Sequence, residues 1–243
     1  MKHSIFYRVL FYIIGLLVLA LGLTLNTKTG LGVSPIISVA FSTATIFGHN
    51  FGNTTLALYT LFVIIQMILH LLREHRYRTS SGGALTHAGK KDRKLILLMD
   101  FLQIPLSLVF TRFLNVFAAW IPDLYTEEGS LDGIGLRIVV LIIAIILTGI
   151  GAAMSLNMRI VPNPGDGIVQ AIADTIHKSV GFTKNCFDLF NISVTIILSF
   201  VFAGHLVGVG IGTLLAMIGV GRTIAVFNHF THTKMNALAG IEY

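Results

Sequence analysis

Apolar residues gather into six long runs along this chain: Ile5–Asn26, Thr54–Leu72, Lys94–Trp120, Leu136–Leu156, Thr183–Gly204 and His205–Phe227. Each approaches or exceeds the ~20 helical residues that cross a hydrocarbon layer of roughly 30 Å. The pattern predicts an all-α membrane protein of about six transmembrane helices. Met1, Lys2 and His3 precede the first run as they would in a signal peptide. No small-x-small site closes that run, so it is read as a retained helix.

Two shorter segments break the rule. After the first run of each half comes a stretch too polar and interrupted for a plain span, Asn26–Gly52 and Asn157–Gly181. In the first, Gly30-Leu-Gly-Val-Ser-Pro places Ser34 as N-cap and Pro35 at the first helical position. In the second, Asn163 caps and Pro164 follows, with Gly165 and then Asp166 in the first turn. One placement is a re-entrant half-helix whose free N–H groups meet a solute near the membrane centre. The other is a helix lying on the membrane surface. It is supported in the second copy by the stripe Ile168, Ile172, Ile176 and Val180, opposite Asp174, His177 and Lys178. The first copy, with only Ser and Thr as polar groups, favours the re-entrant placement.

A shift of 129 residues superposes Arg8 on Arg137, Gly22 on Gly151, Pro35 on Pro164, Gly52 on Gly181 and Thr54 on Thr183. Agreement among Arg, Pro and Gly at one fixed shift predicts an internal repeat. Three spans per copy would invert the second copy relative to the first. The expected organisation is a first membrane repeat over 1–120, containing a cytoplasmic loop at 73–94, then an acidic external loop at 121–134. A second repeat at 135–230 and a cytoplasmic tail at 231–243 complete it. Secondary transporters use such inverted repeats, with the binding site near the midplane between them.

Composition changes this picture little: 54% of the 243 residues are hydrophobic and 12% charged, about half the charged share of an ordinary soluble domain. Charge adds orientation. Arg73, His75, Arg76, Arg78, Lys90, Lys91, Arg93 and Lys94 crowd one loop, whereas the next holds Asp123, Glu127, Glu128 and Asp132 with no Lys or Arg. The positive-inside rule puts the first loop, and with it both termini, in the cytoplasm. The net charge of +6 therefore reports orientation and not a nucleic-acid partner.

Ionisable residues within spans are functional candidates by default, here Asp100, Arg112, Asp188 and Arg222. Arg222 is expected to pair with Asp188 or Asp100, as a clamp or a gate. Asn185, Asp188 and Asn191 have the spacing to share a polar helix face. Gly208, Gly210, Gly212, Gly219 and Gly221 are expected to let the last span pack closely. No catalytic set, phosphate loop, metal cluster or cofactor motif is present, so no enzyme, metal site or cofactor is expected.

Arg8 and Gly22 with Gly30-Leu-Gly-Val-Ser-Pro, then Val161-Pro-Asn-Pro-Gly-Asp-Gly, then Gly208-Val-Gly-Ile-Gly-Thr through Gly221-Arg222 together resemble the YitT/YczE/YyaS family of bacterial inner-membrane proteins. The resemblance spans essentially the whole chain and points to the short YczE-like branch. It implies a bacterial inner-membrane fold without fixing a substrate.

The leading expectation is a transporter or channel for a small anionic or zwitterionic solute. Ser34, Pro35, Asn163, Pro164, Gly165, Asp166, Asn185 and Asp188 would bind it, and Asp100 and Arg222 would gate. The alternative is a non-transporting protein that assembles with a partner membrane protein or with further copies of itself.

Overall fold

A computed structural model describes residues 2–80, 87–125 and 133–241. The described residues form eight helices and no strand. These are α1 (Lys2–Lys28), α2 (Pro35–Phe47), α3 (Phe51–Ser80), α4 (His87–Trp120), α5 (Ile134–Asn157), α6 (Pro164–Ile176), α7 (Val180–Phe202) and α8 (Ile211–Ala239). All but the short α2 and α6 are long and apolar enough to cross a membrane. Ile13, Ile64, Phe101, Ile142, Phe200 and Ile218 face outward, while Asn26, Ser38, Gln103, Asn191 and Thr195 are buried. Apolar outside and polar inside suits lipid as the surrounding solvent.

Several boundaries differ from expectation. The last span begins at Ile211, not His205, because Gly204 and Gly208 adopt positive φ (75° and 76°) and break the chain into a loop. Gly208 and Gly210 therefore belong to that loop. The expected tail is helical instead, and α8 runs through it until Gly240 caps it. Met235 and Ala239 pack there against Tyr12 and Met158. Around the basic loop, α3 continues to Ser80 and α4 starts at His87. Residues 81–86 of the expected connector, and Glu127, Glu128 and Asp132 of the acidic loop, lie outside the described residues. Asp123 is described and pairs with Lys28 at 3.0 Å.

The longest packing interface joins α1 to α5. Gly22 and Gly151 make it possible. A side chain on Gly22 would lie 2.5 Å from the Thr148 backbone nitrogen, and one on Gly151 would run into the backbone nitrogen of Leu19. Small residues at such crossings let backbones touch.

An arginine braces the turn at the end of each of these helices. Arg137 donates from Nε to the Thr29 carbonyl at 2.7 Å and from Nη2 to Gly30 at 3.2 Å. Arg8 does the same to Met158 at 2.8 Å and Arg159 at 2.9 Å. Gly30 and Arg159 both have left-handed backbones, φ 60° and 49°.

The short helices interlock with the opposite half of the chain. Helix α2 lies against α7, with Ser38 Oγ 2.8 Å from Thr195 Oγ1 and Ser42 Oγ 3.2 Å from Ser199 Oγ. Helix α6 lies against α3, and Arg73 reaches Asp174 at 3.0 Å. Both have 13 residues and both end in a left-handed cap, Gly48 after α2 and His177 after α6. A left-handed non-glycine residue costs about 1 kcal/mol or more. His177→Gly is therefore expected to raise the melting temperature by roughly 2–4 °C. His177→Ala, which keeps a Cβ, is expected to leave it unchanged in the same thermal scan.

Candidate functional site

The N-termini of α2 and α6 meet. A side chain on Gly165 would lie 2.7 Å from Ile36, so the first turns of the two short helices are in contact. Around them a cavity is lined by Ser34, Pro35, Asn163, Gly165, Asp166 and Asp188, six of the residues predicted from sequence. Leu19 and Leu23 of α1, Tyr59 of α3, Thr148 and Ala152 of α5, and Val220 of α8 complete much of the wall. All lie well inside the ends of their helices. Proline at the first helical position explains how both short helices can start here, because its missing N–H is one that no helical carbonyl would have served.

The two termini are chemically different. Asn163 Oδ1 accepts from the Gly165 N–H at 3.1 Å, and Asp166 adds a carboxylate to the first turn of α6. The Ser34 side chain makes no cap bond, and the first turn of α2 has no acidic residue. The positive end of a helix is worth roughly half a charge. It is thus already answered at α6 and unanswered at α2.

Opposite the termini sits an ion pair. Lys184 Nζ lies 2.9 Å from Asp188 Oδ2, one helical turn away on α7. The Asp188 side chain is 1% exposed, and its other oxygen, Oδ1, has no hydrogen-bond partner. Asp166 feels the charges of both Lys184 and Asp188. Two carboxylates and one ammonium, added to two helix termini, make a site of nearly zero net charge with separated positive and negative ends. Its volume is about 40 Å³, room for a few waters.

Pro164 is buried at the start of α6, between Asn163 and Gly165. Asn185 is exposed and turned away, so it does not share the buried face of Asp188 and Asn191. The expected pairing of Arg222 does not form. Arg222 and Arg112 are exposed. Asp188 is held by Lys184, and Asp100 is held by Gln66 Nε2 and by His70, whose Nδ1 lies 2.7 Å from its Oδ2. Each aspartate finds a partner on its own or the adjacent helix, which leaves nothing for Arg222 to neutralise. Tyr59 and Lys184 are site residues that sequence reasoning missed. Lys184 was countable, because it stands four residues before Asp188 on one helix face.

A second, larger cavity of about 590 Å³ adjoins the first and shares Asp166 and Lys184 with it. It lies between α3, α4, α6 and α7, with Leu156 of α5 and Ile224 of α8 also on its wall.

A family model described as "Family of unknown function (DUF6198)" matches residues 6–229. The chain belongs to this family. The DUF6198 match takes in α2 to α7 whole and most of α1 and α8, so the cavity at the helix termini lies wholly within it. No curated protein and no solved structure matches the chain.

Proposed function

We propose that the protein is a transporter or channel whose solute binds where the N-termini of α2 and α6 meet, and that the solute is a small zwitterion. The observation that carries this reading is the convergence of the N-termini of the two short helices on the Lys184–Asp188 ion pair, whose aspartate is buried. The anionic end of the solute would face the uncapped first turn of α2. Its cationic end would face Asp166 and the free oxygen of Asp188. A simple anion fits less well, because it would meet two carboxylates against one lysine. The cavity is too small for more than a few waters, so binding requires the short helices to part.

An inverted repeat is part of the proposal. The two arginine braces support it, since donors Arg8 and Arg137 and acceptors Thr29 and Met158 are each 129 residues apart. So do the two close approaches at Gly22 and Gly151. Cytoplasmic termini, a bacterial inner membrane and kinship with the YitT/YczE family belong to the same reading.

The test is a binding screen of the purified protein in lipid nanodiscs against amino acids, betaines, small carboxylates and small amines. A zwitterion should bind saturably, and Asp188→Asn and Asp166→Asn should each weaken it at least tenfold while preserving the melting temperature. Saturable binding that both variants retain would remove the site. A blank screen together with a stoichiometric co-purifying protein would replace transport with the partner-assembly reading.

A further inference from the structure

The larger cavity has one polar wall. Helices α3 and α4 bring Gln66 and Gln103 together there, 2% and 0% exposed. Gln66 donates its Nε2 to Asp100, which fixes the orientation of the carboxamide and leaves Oε1 as an acceptor. That oxygen has no partner, nor has either polar atom of Gln103. A buried polar group left unpaired costs about 1–3 kcal/mol, so three such atoms in one place need an explanation.

These atoms converge on Gly167. A Cβ there would stand 2.5 Å from Gln66 Oε1, 3.0 Å from Gln103 Oε1 and 3.2 Å from Gln103 Nε2. Gly167, Gln66 and Gln103 all line the cavity. The missing side chain thus lets α6 lie directly on the two carboxamides, so a ligand in the cavity reaches them only when α6 draws back. The remaining wall is apolar, with Leu95, Ile96, Met99, Leu156, Val169 and Val180. The charged groups facing it are Asp100, Asp166, Lys184 and His70. Two carboxylates thus face the cavity with one lysine, and His70 sits beside Asp100.

From this wall we infer a second binding site, adjoining the cavity at the helix termini, for an amphiphile with a primary amine head and an apolar chain. With α6 drawn back from Gly167, the amine donates to Gln66 Oε1 and Gln103 Oε1, and the chain lies along Met99 and Val180. A volume of about 590 Å³ falls within the roughly 300–1,000 Å³ of sites for small molecules.

The probe is n-octylamine, measured for saturable binding to the full chain in phosphatidylcholine nanodiscs, with empty discs as the blank. One saturable site is expected, with octanoate and octyl sulfate failing to compete. Gln66→Leu/Gln103→Leu should weaken binding at least tenfold, and Gln103→Leu alone should weaken it while its melting temperature holds or rises, because that change removes two unpaired atoms and no side-chain hydrogen bond. Met99→Trp, which fills the apolar side, should weaken it as well and serves if the double variant does not fold. Discs containing phosphatidylethanolamine then separate the sources: competition names a membrane lipid as the natural occupant, and its absence a free amine. No saturable binding, equal competition by octanoate, or undiminished binding in the variants would overturn the site. Zwitterion binding at the helix termini should be unchanged in Gln66→Leu/Gln103→Leu, so either proposal can fail alone.

Discussion

Gly151→Leu will prevent the protein from folding. Every other contact of α1 with α5 depends on the backbone approach at that position, where even a Cβ runs into the Leu19 nitrogen and lies 2.7 Å from the Gly15 oxygen. Both obstacles are main chain in the middle of a helix, so neither can rotate away as a side chain could. Separating the helices would open voids along the interface, and large core disruptions exceed the ~4–5 kcal/mol that marks the extreme of single substitutions. The expected result is loss of the monodisperse peak in size-exclusion chromatography. Gly221→Leu is the control. It adds the same bulk to an exposed glycine of α8 that has nothing within 4 Å, and it should behave as wild type.

Arg137→Leu should be the second most damaging change. The guanidinium is 1% exposed, holds the Thr29 and Gly30 carbonyls, and lies 5.7 Å over the ring of Tyr125. Hydrogen bonds from a charged donor contribute about 1.5–3 kcal/mol each, so losing two should lower stability by about 3 kcal/mol or more. Arg137→Lys should recover only part of it, because an ammonium cannot span two carbonyls as the planar fork does. Arg8→Leu should cost less, since Arg8 is only half-buried and water can serve the released carbonyls. Melting temperatures of the three variants in one detergent check the order. An Arg8→Leu protein less stable than Arg137→Leu would contradict it.

The long helices were legible because an apolar run of that length has one physical use. The edge at Ala203–Gly210 was not, since Leu206, Val207 and Val209 are as apolar as a span and the break comes from backbone angles at two glycines. The short helices, and five of the residues that line the cavity at their N-termini, were legible through Ser-Pro and Asn-Pro capping, a local signal that needs no tertiary knowledge. The pairing of charges was not. Arg222 and Asp188 both sit in apolar runs and seemed to need each other, but which way a residue faces around its helix decides the matter. Lys184 was hidden by its position near the rim, where a lysine reads as a topology marker. Gln66 and Gln103 carry no charge and so did not stand out among apolar neighbours. Arg137 was visible only as a match to Arg8, because the carbonyls it holds belong to a turn more than a hundred residues earlier in the chain.

The interlocking of α2 with α7 sets a schedule for synthesis. Ser38 and Ser42 leave the ribosome early, but Thr195 and Ser199, which they meet in the finished protein, follow only after well over a hundred further residues. At ~5–20 residues per second, that is a wait on the order of ten seconds or more. For that interval α2 has α3 to pack on, but its face with Ser38 and Ser42 has no partner. The nascent protein is therefore at its most vulnerable midway through translation, and a pause or truncation before α7 should mark it for degradation even though up to four of its long helices are already in place.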